Sequence, residues 1–287
     1  LVMLALASGN TCGGLDRAIR ALLERFRTAS SADGQGALRA GWALGDLHAQ
    51  PDAETTAFAL LALHRGGGAA SSPSAVREAA DALIATQQKD GGWSANENEP
   101  SAPDVTGAVI EALIACGHPA GSATIRRAVQ FLEQSQHAEA WWRGARGICR
   151  LYGTAMALRG LRAAGVDDRE ASVLRAGEWI RSIQNADGGW GEDPRTFDEP
   201  GFREGSSTPA HTAWALLGLL AGGDSSSESV RRGFAWLAAR QREDGGWDSI
   251  APAMPGVVYA PYLMDPIGAA AWPLLALGER VGASASS

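Results

Sequence analysis

The chain has little of several features that mark common classes of protein. Only three of its 287 residues are cysteines, and Cys12, Cys116 and Cys149 lie far apart without the CxxC spacing of metal sites. This small, odd number excludes a disulfide framework and favours free structural thiols in a reducing compartment. Basic charge is also scarce, since the net charge is -7. The chain is therefore not expected to bind nucleic acid.

Long hydrophobic runs are absent as well. No stretch approaches the roughly 20 apolar residues that cross a bilayer. The apolar opening, Leu1–Ala7, is short and has no basic segment before it, as a signal peptide would. We expect a cytoplasmic location, with peripheral membrane contact left open. Since the chain also lacks an initiator Met, we expect it to be a piece of a longer protein.

A phrase repeated at roughly 50-residue spacing dominates what is present. It reads QQKDGGW, QNADGGW and QREDGGW, with a degenerate copy, QHAEAWW. The four copies occupy Gln87–Trp93, Gln184–Trp190, Gln241–Trp247 and Gln136–Trp142. We expect the Gln to bond backbone groups at a neighbouring helix end and the Trp to fill the gap between repeats. These residues are interpreted as structural, not catalytic.

Helical periodicity runs through the chain, and no period-2 pattern predicts a strand. Nearly uncharged, apolar helices alternate with amphipathic ones, which indicates buried inner helices and covering outer helices. We therefore predict an all-α, α/α-barrel fold over residues 1–287, in two concentric rings, lacking helices at its N-terminus. The predicted helices span 14–28, 53–66, 74–88, 104–117, 123–136, 151–164, 170–184, 209–221, 228–240 and 266–280.

The repeats resemble the QW motifs of the squalene–hopene and oxidosqualene cyclase family. Further similarity to squalene–hopene cyclases lies in Arg150–Leu158, Gln184–Phe197, Ser207–Gly223, Arg231–Leu237 and Pro273–Arg280. The resemblance implies a class II terpene cyclase, an isomerase that protonates a linear polyprene and closes rings through carbocations. It also implies that this chain is the acid-bearing domain of a two-domain enzyme whose second domain lies upstream.

The family's acid motif, DxDD followed by Thr-Ala, matches Asp52–Ala57, which opens an inner helix. Glu54 stands at the proton-donor position, Asp52 is its assisting acid, and Thr55 replaces the last Asp of the motif. An alkene is a very weak base, so its donor must be a protonated carboxyl in a dry cavity. The structural alternative is an ordinary acidic helix N-terminus, with Asp52 as its cap.

Two other residues are candidates for assisting the acid. Asp104 lies in a segment that resembles the family's DVTAH, but Ala108 replaces the His of that segment. His48 precedes Asp52 by four residues and is a candidate substitute for the missing His. The alternatives are a capping role for Asp104 and a solvated loop position for His48.

Arginines replace the cavity aromatics that the family carries before LYGT. Arg143, Arg146 and Arg150 would oppose a carbocation but would suit a diphosphate, which arginine forks bind well. This raises an alternative function, a cyclase of prenyl diphosphates that retains the diphosphate. Only that alternative would involve Mg²⁺; otherwise no cofactor is expected. A solvated loop with scattered arginines is the structural interpretation, and an inactive fragment or pseudoenzyme is a third hypothesis.

Aromatic residues outside the repeated phrase are candidates for stabilising cations, although helical aromatics are also common in ordinary cores. They are Trp42, Tyr259, Tyr262 and Trp272. A related barrel occurs in zinc-binding protein prenyltransferase subunits, but the five His and three Cys residues form no matching pattern. We therefore predict no metal site and an isoprenoid small molecule as the binding partner.

Overall fold

The computed structural model describes residues 12–28, 38–43, 50–145, 149–248, 254–257, 260–263 and 266–285. In these ranges the chain forms ten α-helices and two short antiparallel strand pairs. The helices are α1 Cys12–Glu24, α2 Ala53–Arg65, α3 Pro73–Ala85, α4 Pro103–Ala115, α5 Ala123–Ser135, α6 Arg150–Ala163, α7 Ala171–Ser182, α8 Pro209–Ala221, α9 Glu228–Ala239 and α10 Pro266–Ala285. The strands are β1 Arg27–Thr28, β2 Ala40–Gly41, β3 Met254–Val257 and β4 Ala260–Leu263.

Burial divides the helices into two rings. The even-numbered helices are the inner ring: α8, for example, is buried along its whole length. The odd-numbered helices bury one face; α9 does so through Val230, Phe234 and Leu237. Each inner helix packs against the next, and α10 returns to α2, where the Trp272 and Phe58 rings lie 5.9 Å apart. The predicted α/α barrel, with its alternation of inner and outer helices, is confirmed.

The Gln and Trp of the repeated phrase join neighbouring repeats. Gln184 donates through Nε2 to the carbonyl oxygens of Gly188 and Ser229, at 2.8 and 2.9 Å. Ser229 is the second residue of the next outer helix, α9. The indole N–H of Trp190 donates to the carbonyl of Ile180 at 2.7 Å. Gln87 and Gln136 make the equivalent pairs of bonds, and Trp93, Trp142 and Trp247 the equivalent indole bonds.

Three details correct the sequence prediction. Helix α1 ends at Glu24, short of the predicted residue 28, because Arg27 and Thr28 pair with Gly41 and Ala40. Strands do occur, as β1–β2 and β3–β4, but two to four residues are too few for alternation to reveal. Helix α10 continues past residue 280 to Ala285. None of the helices in the described ranges is both long and apolar enough to span a membrane.

Candidate active site

A shared hydrogen bond sets the register of four inner helices. Near the start of each, a threonine Oγ1 accepts the backbone N–H of the tryptophan that precedes the helix. The pairs are Thr56 with Trp42 at 2.9 Å, and Thr106 with Trp93, Thr154 with Trp142 and Thr212 with Trp190, each at 3.0 Å. These threonines therefore occupy equivalent positions, and residues at a constant offset from them lie at one level of the barrel.

The position two residues before the threonine carries the candidate chemistry. On α2 it is Glu54, on α4 it is Asp104 and on α6 it is Tyr152, whereas α8 carries Ala210. Glu54, Asp104 and Tyr152 are buried, with exposures of 8%, 0% and 4%. Three adjacent inner helices thus bring two carboxyl groups and a phenol to the same level of the barrel interior.

The central contact of the site joins α2 to α6. The hydroxyl of Tyr152 donates a hydrogen bond to Glu54 Oε1, and the two oxygens are 2.6 Å apart. An O–H bond of this length to a carboxyl oxygen is in the range of charge-assisted bonds. Because it is donated to the carboxyl group, it stabilises the carboxylate that Glu54 becomes after losing a proton.

Aromatic rings surround this contact. The Tyr152 ring lies 4.9 Å from Trp214 and 5.8 Å from Trp272, and those two indoles are 6.0 Å apart. Phe58 contacts Trp272 from the other side, and His211 meets Trp214 edge to face at 5.1 Å. These rings come from α2, α6, α8 and α10, so the layer spans the barrel. Ring faces attract cations, most strongly where water is excluded.

Asp52 caps the helix that carries Glu54. Its carboxylate accepts the backbone N–H of Thr55 at 2.9 Å, and its extended backbone is typical of an N-cap. The structural interpretation of Asp52 as a helix cap is therefore observed. Thr55 is the residue whose N–H is capped, and its side chain is half-buried. Both residues fix the first turn of α2 and hence the backbone of Glu54.

Asp104 holds a loop against the start of α4. Its Oδ2 accepts the N–H of Ala145 at 2.8 Å, which ties the segment after Trp142 to α4. The N-cap of α4 is Ala102, so Asp104 lies inside the first turn and does not occupy the cap position. Its carboxylate connects two repeats at the level of Glu54.

Arg150 is buried, with 1% exposure, and is bonded to the protein. Its guanidinium donates to Cys149 Sγ at 2.7 Å, to the carbonyl of Glu199 at 2.5 Å and to the carbonyl of Thr196. It also lies over the ring of Trp141, 4.8 Å from the centroid. The guanidinium of Arg150 is thus directed at the loop that follows α7. Arg143, by contrast, is exposed.

Glu192 anchors the same loop to the N-terminus of α6. Its carboxylate accepts the backbone N–H groups of Arg150 and Leu151 at 3.0–3.2 Å. Burial raises the pKa of Glu192 to about 7, although the backbone N–H bonds and the Arg150 charge act to lower it. The charge of this group therefore changes near neutral pH, immediately beside Tyr152.

The remaining candidates fall into two groups. His48, Arg146 and Tyr259 lie outside the described residues, and Tyr262 belongs to β4 but its side chain is not described. Trp42 does not lie in the aromatic layer: its indole N–H donates to the carbonyl of Leu22 on α1 at 2.7 Å. This is the bond that the repeat tryptophans make, so Trp42 is a further repeat tryptophan without the surrounding phrase.

Sequence reasoning missed Tyr152, Trp214 and Glu192. Tyr152 could have been found by aligning the inner helices on their threonines, since it then occupies the position of Glu54. No local pattern marks Trp214 or Glu192, because each acts on a helix far along the chain. Throughout the described ranges, no three His, Cys, Asp or Glu residues are arranged to hold a metal ion.

Solved structures with the same fold include terpene cyclases. The type II terpene cyclase MstE from Scytonema, in complex with geranylgeranyl dihydroxybenzoate, aligns with a TM-score of 0.72 at 19% identity, over 98% of this chain and 86% of that one. The ent-copalyl diphosphate synthase from Streptomyces platensis aligns with a TM-score of 0.68 at 20% identity, over 98% of this chain and 49% of that one. The fold is thus an α/α barrel of the kind found in terpene cyclases.

Sequence comparison identifies the family. The profile of the squalene–hopene cyclase C-terminal domain matches residues 97–281, and the chain belongs to this family. A probable squalene–hopene cyclase of Sinorhizobium fredii is 33% identical over 240 residues, which are 74% of this chain and 37% of the relative. The squalene–hopene cyclase of Alicyclobacillus acidocaldarius is 34% identical over 220 residues, 69% of this chain and 34% of the relative. The chain spans little more than a third of these relatives, and the profile match begins after Glu54.

Proposed function

We propose that this chain is the acid-bearing part of a class II terpene cyclase, in which Glu54 protonates the terminal alkene of a linear polyprene. The observation that carries the proposal is the buried Glu54 carboxyl, hydrogen-bonded to Tyr152 within a layer of aromatic rings. In the first step the alkene π electrons take the Glu54 proton and the carboxyl O–H bond breaks. A tertiary carbocation and the Glu54 carboxylate result.

Tyr152 assists this step because its hydrogen bond strengthens as negative charge develops on Glu54. An interaction that is stronger in the transition state than in the ground state lowers the barrier. The Tyr152 hydroxyl already lies 2.6 Å from Glu54 Oε1, so little reorganisation is needed when the charge develops.

The aromatic layer stabilises the positive charge that moves along the substrate. Trp214 and Trp272 are almost fully buried, with exposures of 1% and 2%, and their indoles present the strongest cation-attracting faces among the side chains. Burial of the site also limits the access of water that would capture the cation prematurely. Ring closure then follows as successive alkenes attack the cation.

The acidic and polar neighbours act through position. Asp52 and Thr55 hold the first turn of α2, and Asp104 holds the loop after Trp142 at the level of the acid. We assign them positioning roles in this proposal and reserve proton donation for Glu54. No cofactor enters the proposed reaction.

The substrate we propose is squalene or a similar polyprene without a diphosphate. Several of the similar relatives, those of Bradyrhizobium diazoefficiens and Alicyclobacillus acidocaldarius among them, are named squalene–hopene cyclases. The bonds of Arg150 to Cys149, Thr196 and Glu199 also engage a buried guanidinium that would have been a diphosphate ligand. A diphosphate substrate, with Mg²⁺, is the alternative that the substrate test addresses.

The test supplies the purified chain with squalene and with geranylgeranyl diphosphate in parallel and identifies cyclic products by gas chromatography with mass spectrometry. Glu54→Gln keeps the shape of the side chain but removes the acidic proton. General acid catalysis contributes about 10²–10⁴-fold, so turnover should fall by at least that factor. Glu97→Gln, at an exposed loop position, is the matched control and should turn over normally.

Each outcome decides one part of the proposal. Loss of turnover in Glu54→Gln alone supports Glu54 as the donor, whereas full turnover in that variant rejects it. Cyclic product from the diphosphate alone rejects the proposed substrate and supports the retained-diphosphate alternative. Absence of product from both substrates favours an inactive fragment or pseudoenzyme.

A further inference from the structure

Four charged side chains form a closed ring of ion pairs inside the barrel, away from the acid. Arg159 donates to Glu111 through Nε and Nη2, at 3.0 and 2.6 Å, and to Glu279 through Nη1 at 2.7 Å. Arg65 donates through Nη2 to the same two carboxylates, at 2.9 and 3.3 Å. Cations and anions therefore alternate around a cycle that joins α2, α4, α6 and α10. We call these four residues the ionic ring.

The ionic ring lies two helical turns below the candidate site. Each member follows a residue of the site level or of the aromatic layer by seven positions on the same inner helix, and Arg65 follows Glu54 itself by eleven. The pairs are Phe58 with Arg65, Asp104 with Glu111, Tyr152 with Arg159 and Trp272 with Glu279. Seven residues are about two turns and about 10 Å along the axis, so both members of a pair face the same side of the helix. The candidate site and the ionic ring thus lie at two different levels of the same four helices.

The side chains of the ionic ring are less exposed to solvent than those of a surface ion pair. The Arg159 side chain is 6% exposed and that of Glu111 is 13% exposed, while Glu279 and Arg65 lie nearer the rim at 26% and 28%. Burial would raise the pKa of Glu279, but the charges of Arg159 and Arg65 outweigh it and lower that pKa. Both carboxylates are matched by guanidiniums in directional bonds, so the four groups fit together in one arrangement.

We propose that the ionic ring aligns the catalytic layer: Arg159 and Glu279 are positioning residues that set where Tyr152 and Trp272 stand relative to Glu54. The inference rests on the proposed function. A helix transmits a displacement of one end to the other, so a shift of α10 or α6 at the ionic ring moves Trp272 or Tyr152. Helix α10 packs against α8 and returns to α2 through the Phe58–Trp272 contact and the Arg65–Glu279 pair, so the ionic ring is part of its attachment to α2.

Three variants of the full chain test this alignment. Glu279→Gln removes one negative charge with little change of shape, and Arg159→Met removes the Arg159 guanidinium. Arg159→Lys keeps the charge but not the fork geometry. Arg231→Met, which breaks an exposed pair with Glu228 on an outer helix, is the control.

The proposal predicts a specific kinetic pattern at a temperature where every variant is folded. A misplacement of about 1 Å can slow catalysis about 100-fold. We expect kcat to fall by 10- to 100-fold in Glu279→Gln and Arg159→Met with KM nearly unchanged. Arg159→Lys should fall less, and the control should not change. A fall in melting temperature with unchanged kcat in all three variants would overturn the proposal.

A readout independent of turnover separates this proposal from the proposed function. The near-ultraviolet circular dichroism of Trp272→Phe, subtracted from that of the natural chain, gives the signal of Trp272 within the aromatic layer. The corresponding difference spectrum of Glu279→Gln should share its sign and bands if Trp272 has moved. A flat difference spectrum for Glu279→Gln overturns the alignment, whether or not the chain turns over a polyprene. If Glu54→Gln leaves turnover intact while the spectral shift is present, the proposed acid fails and the alignment stands.

Discussion

Replacing Tyr152 by Phe should slow cyclisation while leaving the barrel folded. The substitution removes only the hydroxyl that donates to Glu54 Oε1 at 2.6 Å. The ring stays, so the packing against Trp214 at 4.9 Å and Trp272 at 5.8 Å is retained. The perturbation therefore acts on a single hydrogen bond in a site that is otherwise unchanged.

The expected magnitude follows from the charge that develops on Glu54. Hydrogen bonds to charged groups contribute about 1.5–3 kcal/mol, and the Glu54 carboxyl becomes charged in the proposed transition state. At about 1.4 kcal/mol for each factor of ten, loss of this bond should lower kcat by roughly 10- to 150-fold. KM should change little, because the apolar surface offered by the ring at position 152 is the same.

The assay measures initial rates of polyprene cyclisation for the natural chain, Tyr152→Phe and Glu54→Gln, with thermal unfolding in parallel. The rate of Glu54→Gln gives the lower limit with which Tyr152→Phe is compared. If Tyr152→Phe turns over at the natural rate while Glu54→Gln is inactive, the hydrogen bond is not used in the transition state. A change confined to KM would instead mean that position 152 acts in substrate binding, and the reasoning from developing charge would be wrong.

Three further predictions concern stability. Because burial raises the pKa of Glu192 to about 7 from its ordinary 4.5, the folded chain retains a proton that the unfolded chain loses first. Stability should therefore fall as the pH rises from 4.5 to 7 and level off above, by about 3 kcal/mol in total, in denaturant unfolding across that range; Glu192→Gln should lose this dependence. A Cβ on Gly107 would lie 2.1 Å from the carbonyl oxygen of Met156, so Gly107→Ala should cost about 3 kcal/mol or more by forcing α4 from α6. Gly14→Ala, on α1 with open space around the new methyl, should instead gain about 0.5–1 kcal/mol in the same unfolding assay.

The repeated phrase was sufficient to predict the architecture, because each copy is a local pattern with a local structural role. Gln184 and Trp190 show why: Gln184 bonds to Ser229 of the next outer helix, Trp190 bonds back to Ile180 of the outer helix before it, and Gln136 and Trp142 repeat both bonds. Trp42 shows the limit. It makes the same kind of bonds to Leu22 and Thr56, but no Gln-Asp-Gly-Gly precedes it, so its equivalence is visible only in the structure.

The site was harder to predict because its contacts join distant repeats. Glu54 and Tyr152 are 98 positions apart, and no sequence pattern near either residue predicts its contact with the other. The sequence did indicate Glu54, through its place in a motif-like segment. For Arg150 the sequence pointed to an anion site, whereas the side chain is engaged by the loop that Glu192 anchors. Such loop geometry follows from packing between repeats, which the order of residues alone does not reveal.

The register of the inner helices explains how one repeat can carry both structure and chemistry. In four inner helices an equivalent threonine accepts the backbone N–H of the preceding Trp. This hydrogen bond between the helix and the preceding segment is therefore constant. The position two residues earlier is free of that role, and there the side chain changes from Glu54 to Asp104 to Tyr152. Substitution at that position alters an acid or its hydrogen-bond donor without disturbing the bond between the threonine and the Trp N–H. A barrel of this kind can therefore acquire a different acid, such as Glu54 in place of an Asp, while the positions of its neighbours remain fixed.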